Sequence, residues 1–342
     1  MKKVGILGGG FVGQRFVQML YEHPYFNLEI ITGNSTAGKK LKDIWGLDDF
    51  VVPEELEDME IERGGLDDIK YIAERIDLAF SALPSGEVPK ELEISLAEQG
   101  VKVFSNSSAM RMESDIPLVI PEVNGSDLEL VRGQAWYENN GGCIIKNPNC
   151  SATGLLLPLK PIDDLCGLEE VNVTTYQALS GAGKGAYPGG VMVSNVIPFI
   201  RQEEEKIEIE SKKMMHNPDV IYSVSCSRVP VIDGHTEHIQ VRVKNQKDVE
   251  ELKQYIQSFN PLKEYGLYSS PKDVLYIFEE EDRPQPRLDR MRGNGMTVSV
   301  GRLRTDNIFN YKFFSLSHNT IRGAAGGSVL NAELFYKLGL GD

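Results

Sequence analysis

The strongest constraint on this chain is a glycine cluster that begins only eight residues in. Residues 4–7 form a short apolar run, and residues 11–21 carry a helical pattern of apolar positions. Between them stands Gly8-Gly9-Gly10-Phe11-Val12-Gly13. A buried strand that turns at once into a helix needs Gly8 for the tight turn. Gly10 lets backbone come close to a ligand, and Gly13 lets the helix lie close on the strand. A pyrophosphate fits at the N-terminus of such a helix, so Gly8, Gly10, Phe11, Val12 and Gly13 are candidate dinucleotide contacts. Residues 28–32, 77–82 and 101–105 read as further buried strands, and residues 89–99 as an amphipathic helix between the last two. This alternation predicts a Rossmann-like, doubly wound parallel α/β sheet.

The second strand ends in Thr32-Gly33-Asn34-Ser35-Thr36, followed by Lys39 and Lys40. An NAD-selective site usually places a carboxylate there to hold the ribose 2′-hydroxyl. Hydroxyls, amides and lysines suit a 2′-phosphate better, so the segment, with Ser35 and Thr36 as candidate contacts, favours NADP and leaves NAD as the alternative.

Beyond residue 150 the pattern changes. Residues 169–178, 220–230, 238–244 and 296–304 read as longer strands, several with period-two alternation. They predict a second, α+β domain with a mostly antiparallel sheet. The expected division is a dinucleotide-binding domain over 1–149 and a catalytic and dimerisation domain over 150–323. A final amphipathic helix, within 324–342, is expected to pack back on the first domain.

Cys150 sits in Lys146-Asn147-Pro148-Asn149-Cys150-Ser151-Ala152-Thr153-Gly154. A Pro-Asn turn ahead of small residues suits a thiol raised just before a helix, with Asn149 or Ser151 as its cap. The positive end of the helix favours thiolate, and its free N–H groups can hold an oxyanion. A free cysteine is more often a buried structural residue, so the assignment depends on what surrounds it. The four cysteines lack Cys-x-x-Cys spacing and a matching histidine pair, so no zinc site is expected. The formal net charge of −14 argues against nucleic acid and anionic membranes as partners, while leaving room for an anionic small molecule held by local cations. No signal peptide precedes the first strand and no apolar run reaches the length of a membrane span, so a reducing cytoplasm is expected.

Six segments together resemble the aspartate-semialdehyde dehydrogenases, and most closely their archaeal and fungal branch. They are residues 105–111, 120–124, 147–151, 177–183, 228–235 and 318–326, spread over nearly the whole chain. The resemblance implies NADP-dependent reductive dephosphorylation of L-aspartyl 4-phosphate to L-aspartate 4-semialdehyde, in biosynthesis of lysine, threonine and methionine. It implies Cys150 as the nucleophile that forms a thioacyl intermediate and His235 as the group that handles the proton, an imidazole being suited to working pH. It implies Gln177 as the amide that positions the acyl group. Arg228 would grip the substrate carboxylate with its planar fork. Glu203 would meet the substrate ammonium, with Glu204 and Glu205 as competitors for that place. Lys206, on the same helix face, would take the phosphate together with Arg111. Ser180, Gly181 and Asn319 fall in the segments on the cofactor side, and a homodimer or homotetramer is implied.

The chain departs from the family pattern at three places. The first glycine loop is one residue shorter than the usual Gly-Ala-Thr-Gly-x-Val-Gly. An arginine often present in the 2′-phosphate loop is replaced near Ser35 and Thr36. A glycine-rich stretch over 183–190 adds Lys184. Three other readings share part of the pattern: a short-chain malonyl-CoA reductase, an N-acetylglutamyl-phosphate reductase with a different motif around its cysteine, and an inactive homologue that senses nucleotide.

Overall fold

The structure, a computed structural model, describes every residue except Lys184, Gly185, Ala186, Pro188, Gly189 and Asp342; the added Lys184 thus lies outside the described residues. The chain forms two compact units. The first comprises Met1–Pro121, Gly125–Pro148 and the chain from Ala324 onward, and the second comprises Glu122–Asn124 and Asn149–Gly323.

In the first unit, β1 (Lys2–Leu7), β2 (Phe26–Thr32), β3 (Leu78–Ser81), β4 (Lys102–Ser105) and β5 (Cys143–Lys146) form a parallel sheet in the order β2-β1-β3-β4-β5. The strand order reverses at β1, so the glycine loop that follows it stands at the point where open α/β sheets bind ligands. Helices α1 (Phe11–Leu20) and α2 (Glu87–Glu98) are those expected from the apolar spacing. The strands read as continuous apolar runs because both sheet faces are covered; Val4, Ile6, Phe80, Val103 and Ile144 are all fully buried. The sequence reading did not identify β5. Its four residues are too few to show a period, and they end on a lysine.

That lysine is buried. Ser81, Ser105 and Lys146 end three neighbouring strands in matching register. Beneath them, α2 presents Glu93, whose Oε1 accepts hydrogen bonds from both serine hydroxyls at 2.6 Å. The ammonium of Lys146 donates to Glu93 Oε2 and, at 3.0 Å, to the hydroxyls of Ser105 and Ser107. All three of its protons are therefore used. Burial pulls the lysine below its ordinary pKa, and Glu93 opposes that shift.

The C-terminal helix, Gly326–Lys337, packs on α1 and β4 of the same unit. It is not the amphipathic helix expected from the sequence, because every residue from Gly326 to Phe335 is buried. Its one acidic residue there, Glu333, meets His23 Nε2 at 3.0 Å, and that ring stacks on Phe26.

The second unit contains a six-stranded mixed sheet in the order β7-β6-β8-β11-β10-β9. Its strands are β6 (Leu168–Gln177), β7 (Ile221–Arg228), β8 (His235–Val243), β9 (Leu275–Phe278), β10 (Val298–Thr305) and β11 (Tyr311–Ser317). Three of the five pairings are antiparallel, as expected; β6–β7 and β9–β10 are parallel. The long helices of the unit are α3 (Cys150–Cys166), α4 (Glu203–Met214) and α5 (Val249–Ser258), with α3 against β8 and β11. Along β8, His235, Glu237, Ile239, Val241 and Val243 are buried, and the residues between them are partly exposed. The strand thus begins three residues before the expected 238–244, which puts His235 on its buried face. The sequence reading missed β9, which is short and at the sheet edge, and β11, where buried serines interrupt the apolar alternation. Among the described residues no helix is long and apolar enough to cross a membrane.

Replacing Lys146 by Met leaves the Glu93 carboxylate buried without its cation, which should cost about 3–5 kcal/mol. A Lys146→Met/Glu93→Leu double variant should recover most of that loss. Urea unfolding checks both, and an unshifted midpoint in the single variant would show that the pair contributes nothing.

Candidate active site

Cys150 is the first residue of α3, and Asn149 caps it: the Asn149 side-chain oxygen accepts the N–H groups of Ser151 and Ala152 at 2.8 and 3.1 Å. The Asn149 amide nitrogen donates to Glu203 Oε1 at 2.8 Å, and its backbone N–H donates to Glu210 Oε2 at 2.7 Å. A single asparagine therefore fixes the start of α3 against α4. On the opposite side, Gly323 lies so close that a Cβ there would stand 2.7 Å from Cys150 Cβ.

The partly exposed thiol of Cys150 faces the fully buried ring of His235, with Sγ to Nε2 at 3.2 Å. The backbone N–H of Ala178 donates to the other ring nitrogen, Nδ1, at 3.0 Å. Nδ1 therefore carries no proton, and the N–H of the neutral ring lies at Nε2, toward sulfur. Burial above all, then Arg228 and His318, push the His235 pKa down to about 3. The imidazole is neutral throughout the physiological range.

Arg228 ends β7 beside Gln177, which ends β6 in matching register. Its Nη1 donates to the carbonyl of Ala178, and its Nε has no partner among the described residues. Gln177 is buried and its amide donates to Glu203 Oε1 at 3.3 Å. Gly181 leaves open the space above this cluster: a Cβ there would lie 3.0 Å from Arg228 Nη1 and 3.3 Å from His235 Nε2. Asn319 ties the rim together, its Oδ1 accepting the N–H of Gly234 and its Nδ2 donating to Ser180 Oγ at 2.8 Å.

The structure separates the three consecutive glutamates of α4. Glu203 reaches Asn149 and Gln177, Glu204 accepts the backbone N–H of Cys226, and Glu205 is exposed. Lys206 is half-buried one turn beyond Glu203. Arg111 belongs to the first unit, where it is buried and donates to the carbonyl of Asn106 at 2.8 Å. The first unit also holds the glycine loop. Gly8 has φ +105° and a Cβ on Gly13 would strike the Gly8 carbonyl, whereas one on Gly10 would meet nothing within 4 Å. That open approach, beside half-buried Phe11 and Val12, fits a pyrophosphate. Ser35 is exposed, and Thr36 directs its hydroxyl toward Gly9 and Gly33.

Sequence reasoning missed Glu210 and the Ala178 N–H. It also missed Glu237, whose one signal was a charged residue in period two with His235 on a buried strand face.

Comparison with known proteins adds an independent result. Residues 3–131 match the semialdehyde dehydrogenase NAD binding domain, and residues 159–322 match the semialdehyde dehydrogenase dimerisation domain. The aspartate-semialdehyde dehydrogenase of Archaeoglobus fulgidus is 46% identical, over 98% of each chain. The crystal structure of aspartate semialdehyde dehydrogenase with NADP from Candida albicans superposes with a TM-score of 0.87 at 37% identity, covering 99% of each chain. That of aspartate semialdehyde dehydrogenase II from Vibrio cholerae, complexed with ASA, gives 0.79 at 28% identity over 98% of each. Agreement at this level, end to end and in both units, places the chain in the aspartate-semialdehyde dehydrogenase family.

Proposed function

We infer that this chain catalyses the family reaction, NADP-dependent reduction of L-aspartyl 4-phosphate to L-aspartate 4-semialdehyde with release of phosphate, in aspartate-pathway amino-acid biosynthesis. The observation that carries the reading is a thiol at a helix N-terminus, 3.2 Å from a neutral imidazole and beside a buried arginine.

Cys150 attacks as thiolate, held by the Nε2–H of His235 and the N-terminus of α3. A carbon–sulfur bond forms, the acyl carbon–oxygen bond to phosphate breaks, and the proton consumed overall leaves on the phosphate. A nicotinamide cofactor, when bound, would supply the hydride that reduces the thioester carbon. The resulting oxyanion is held by the Nε2–H of His235, since the Asn149 cap occupies the N–H groups of Ser151 and Ala152, and its collapse breaks the carbon–sulfur bond to return aldehyde and thiolate. His235 acts here as a fixed hydrogen-bond donor, because the Ala178 N–H occupies the nitrogen that would have to be protonated if the ring took up the thiol proton. Arg228 takes the substrate carboxylate, Glu203 the ammonium, Gln177 the acyl oxygen and Lys206 the phosphate.

Gly8, Gly10, Phe11, Val12, Gly13, Ser35 and Thr36 are proposed to hold the cofactor in the first unit, and Ser180, Gly181 and Asn319 in the second. The matched dimerisation domain supports a homodimer; a pair of such dimers in the cytoplasm is the fuller form of the proposal.

The deciding assay is reduction of NADP by purified protein given L-aspartate 4-semialdehyde and phosphate, with NAD run in parallel. Turnover should require phosphate, exceed that with NAD, and fall by at least about 10³-fold in Cys150→Ser while NADP binding persists. Substantial residual turnover in that variant would overturn the nucleophile assignment.

Arg228→Lys should raise KM about tenfold or more with kcat much less affected, since a point charge replaces a two-pronged grip. Unchanged KM would put the carboxylate elsewhere. His235 also affects acid stability. Below its ordinary value of about 6.5 the unfolded chain binds a proton that the folded one refuses until about 3, so stability declines as pH falls through that window. His235→Asn should lessen that decline in unfolding experiments at pH 7 and pH 5; an equal decline would show that the ring is not held neutral.

A further inference from the structure

Directly beneath the Cys150–His235 contact lies a second contact between the same two elements. Gly154 stands one helical turn below Cys150 on α3, and Glu237 stands two residues beyond His235 on the same face of β8. A Cβ built on Gly154 would lie 3.3 Å from Glu237 Oε1 and 2.6 Å from Ser317 Oγ, so both polar groups converge on the gap left by the missing side chain. Across the sheet, Ser317 pairs with His235, and Ser315 pairs with Glu237. The Ser315 hydroxyl donates to the carbonyl of Gly154 at 2.8 Å. Glu237 is 1% exposed; neither of its carboxyl oxygens has a hydrogen-bond partner among the described residues, and neither does the hydroxyl of Ser317.

We propose that Glu237 is a positioning residue for the nucleophile: with Ser317 it forms a polar wedge under the first turn of α3 that keeps Cys150 against His235. The proposal rests on the reading of Cys150 as the reacting thiol. Glu237 does this as a neutral carboxylic acid. The groups that face it are Gly154 on α3, Thr175 on β6, Cys226 on β7, His235 on its own strand and the serines of β11, none of them a cation; Glu203 and Glu204 of α4 also act on Cys226. Burial pushes its carboxyl well above the ordinary carboxylate value, and Cys226 beside it is pushed up to about 12 by its own burial. An anion at Glu237 would repel the thiolate one turn above it. A neutral acid fills the wedge and adds no negative charge beneath the sulfur.

The test uses the full-length protein with two substitutions and a chemical probe of the thiol. The pH dependence of Cys150 alkylation by iodoacetamide reports its ionisation, and kcat and KM report its placement. Glu237→Gln, neutral and of the same shape, should keep kcat within about twofold and leave the alkylation midpoint unmoved. Glu237→Met, equally long but apolar, should lower kcat about tenfold at unchanged KM and raise the midpoint by about one pH unit, because the thiol loses its alignment with Nε2–H. A midpoint that falls by about one unit in Glu237→Gln would show that the wild-type group is an anion, and would overturn the proposal. So would Glu237→Met behaving like Glu237→Gln, since that makes the residue mere filler. If Glu237→Met does not fold, Ser317→Ala removes the other half of the wedge and should show the same losses; wild-type behaviour there overturns the proposal as well. Failure of the catalytic reading is read separately, as residual turnover in Cys150→Ser.

Discussion

The reactive end of this molecule depends on four hydrogen bonds made by the side chain and backbone N–H of Asn149. Two close the N-terminus of α3, and two more fasten the residue to Glu203 and Glu210 of α4. A capping side chain is worth about 1 kcal/mol to a helix, a modest term. Its consequence for placement is larger. With the cap at residue 149, the next residue is the first of the helix, where the positive end of the dipole meets whatever side chain is present. That side chain is a thiol, and the strand facing it begins with a histidine. The same cap sorts the glutamates of α4, because Glu203 is the one within reach of the Asn149 amide.

Three buried acids show how differently the fold handles a carboxylate. Glu93 faces an ammonium whose three protons are all used, so the charge stays. Glu122 is paired with Arg322 inside the second unit. Glu237 has no hydrogen-bond partner among the described residues, and burial pushes its carboxyl well above the ordinary value. The cost of ionising a carboxylate away from water is several kcal/mol, and only a partner of opposite charge at hydrogen-bonding distance offsets it. Where the partner is present the group serves as an anchor. Where it is absent the group stays neutral, and here that neutrality matters because an anionic sulfur lies one turn away.

Much of this was legible in the sequence because it depends on local rules. The glycine loop, the first two strands and helices, the capped cysteine and the mostly antiparallel character of the second sheet all follow from period, turn chemistry and capping, whereas its two parallel pairings do not. Elements defined by their neighbours were less legible. β5 and β9 have four residues each, and pairing with adjacent strands makes them strands. The C-terminal helix, expected to be amphipathic, has no wet face from Gly326 to Phe335: Asn331 and Glu333 are buried against partners from distant parts of the chain. The His235 tautomer was also beyond the sequence, since it depends on one backbone N–H fifty-seven residues away.

Space completes the argument about the site. Gly323 admits the Cys150 backbone, Gly154 admits Ser317 and Glu237 beneath it, and Gly181 keeps clear the volume between Arg228 and His235. A methyl at either of the first two would have to displace an atom closer than 3.0 Å, which packed interiors resist. At Gly181 the nearest atom is the arginine tip, which can move, so a methyl there would fill substrate volume at lower cost to folding. Gly154 and Gly323 thus set where the nucleophile stands, and Gly181 sets what can reach it. The excess negative charge of the chain does not oppose an anionic substrate at this point, because a buried guanidinium, that of Arg228, borders that volume and the ring beside it is neutral.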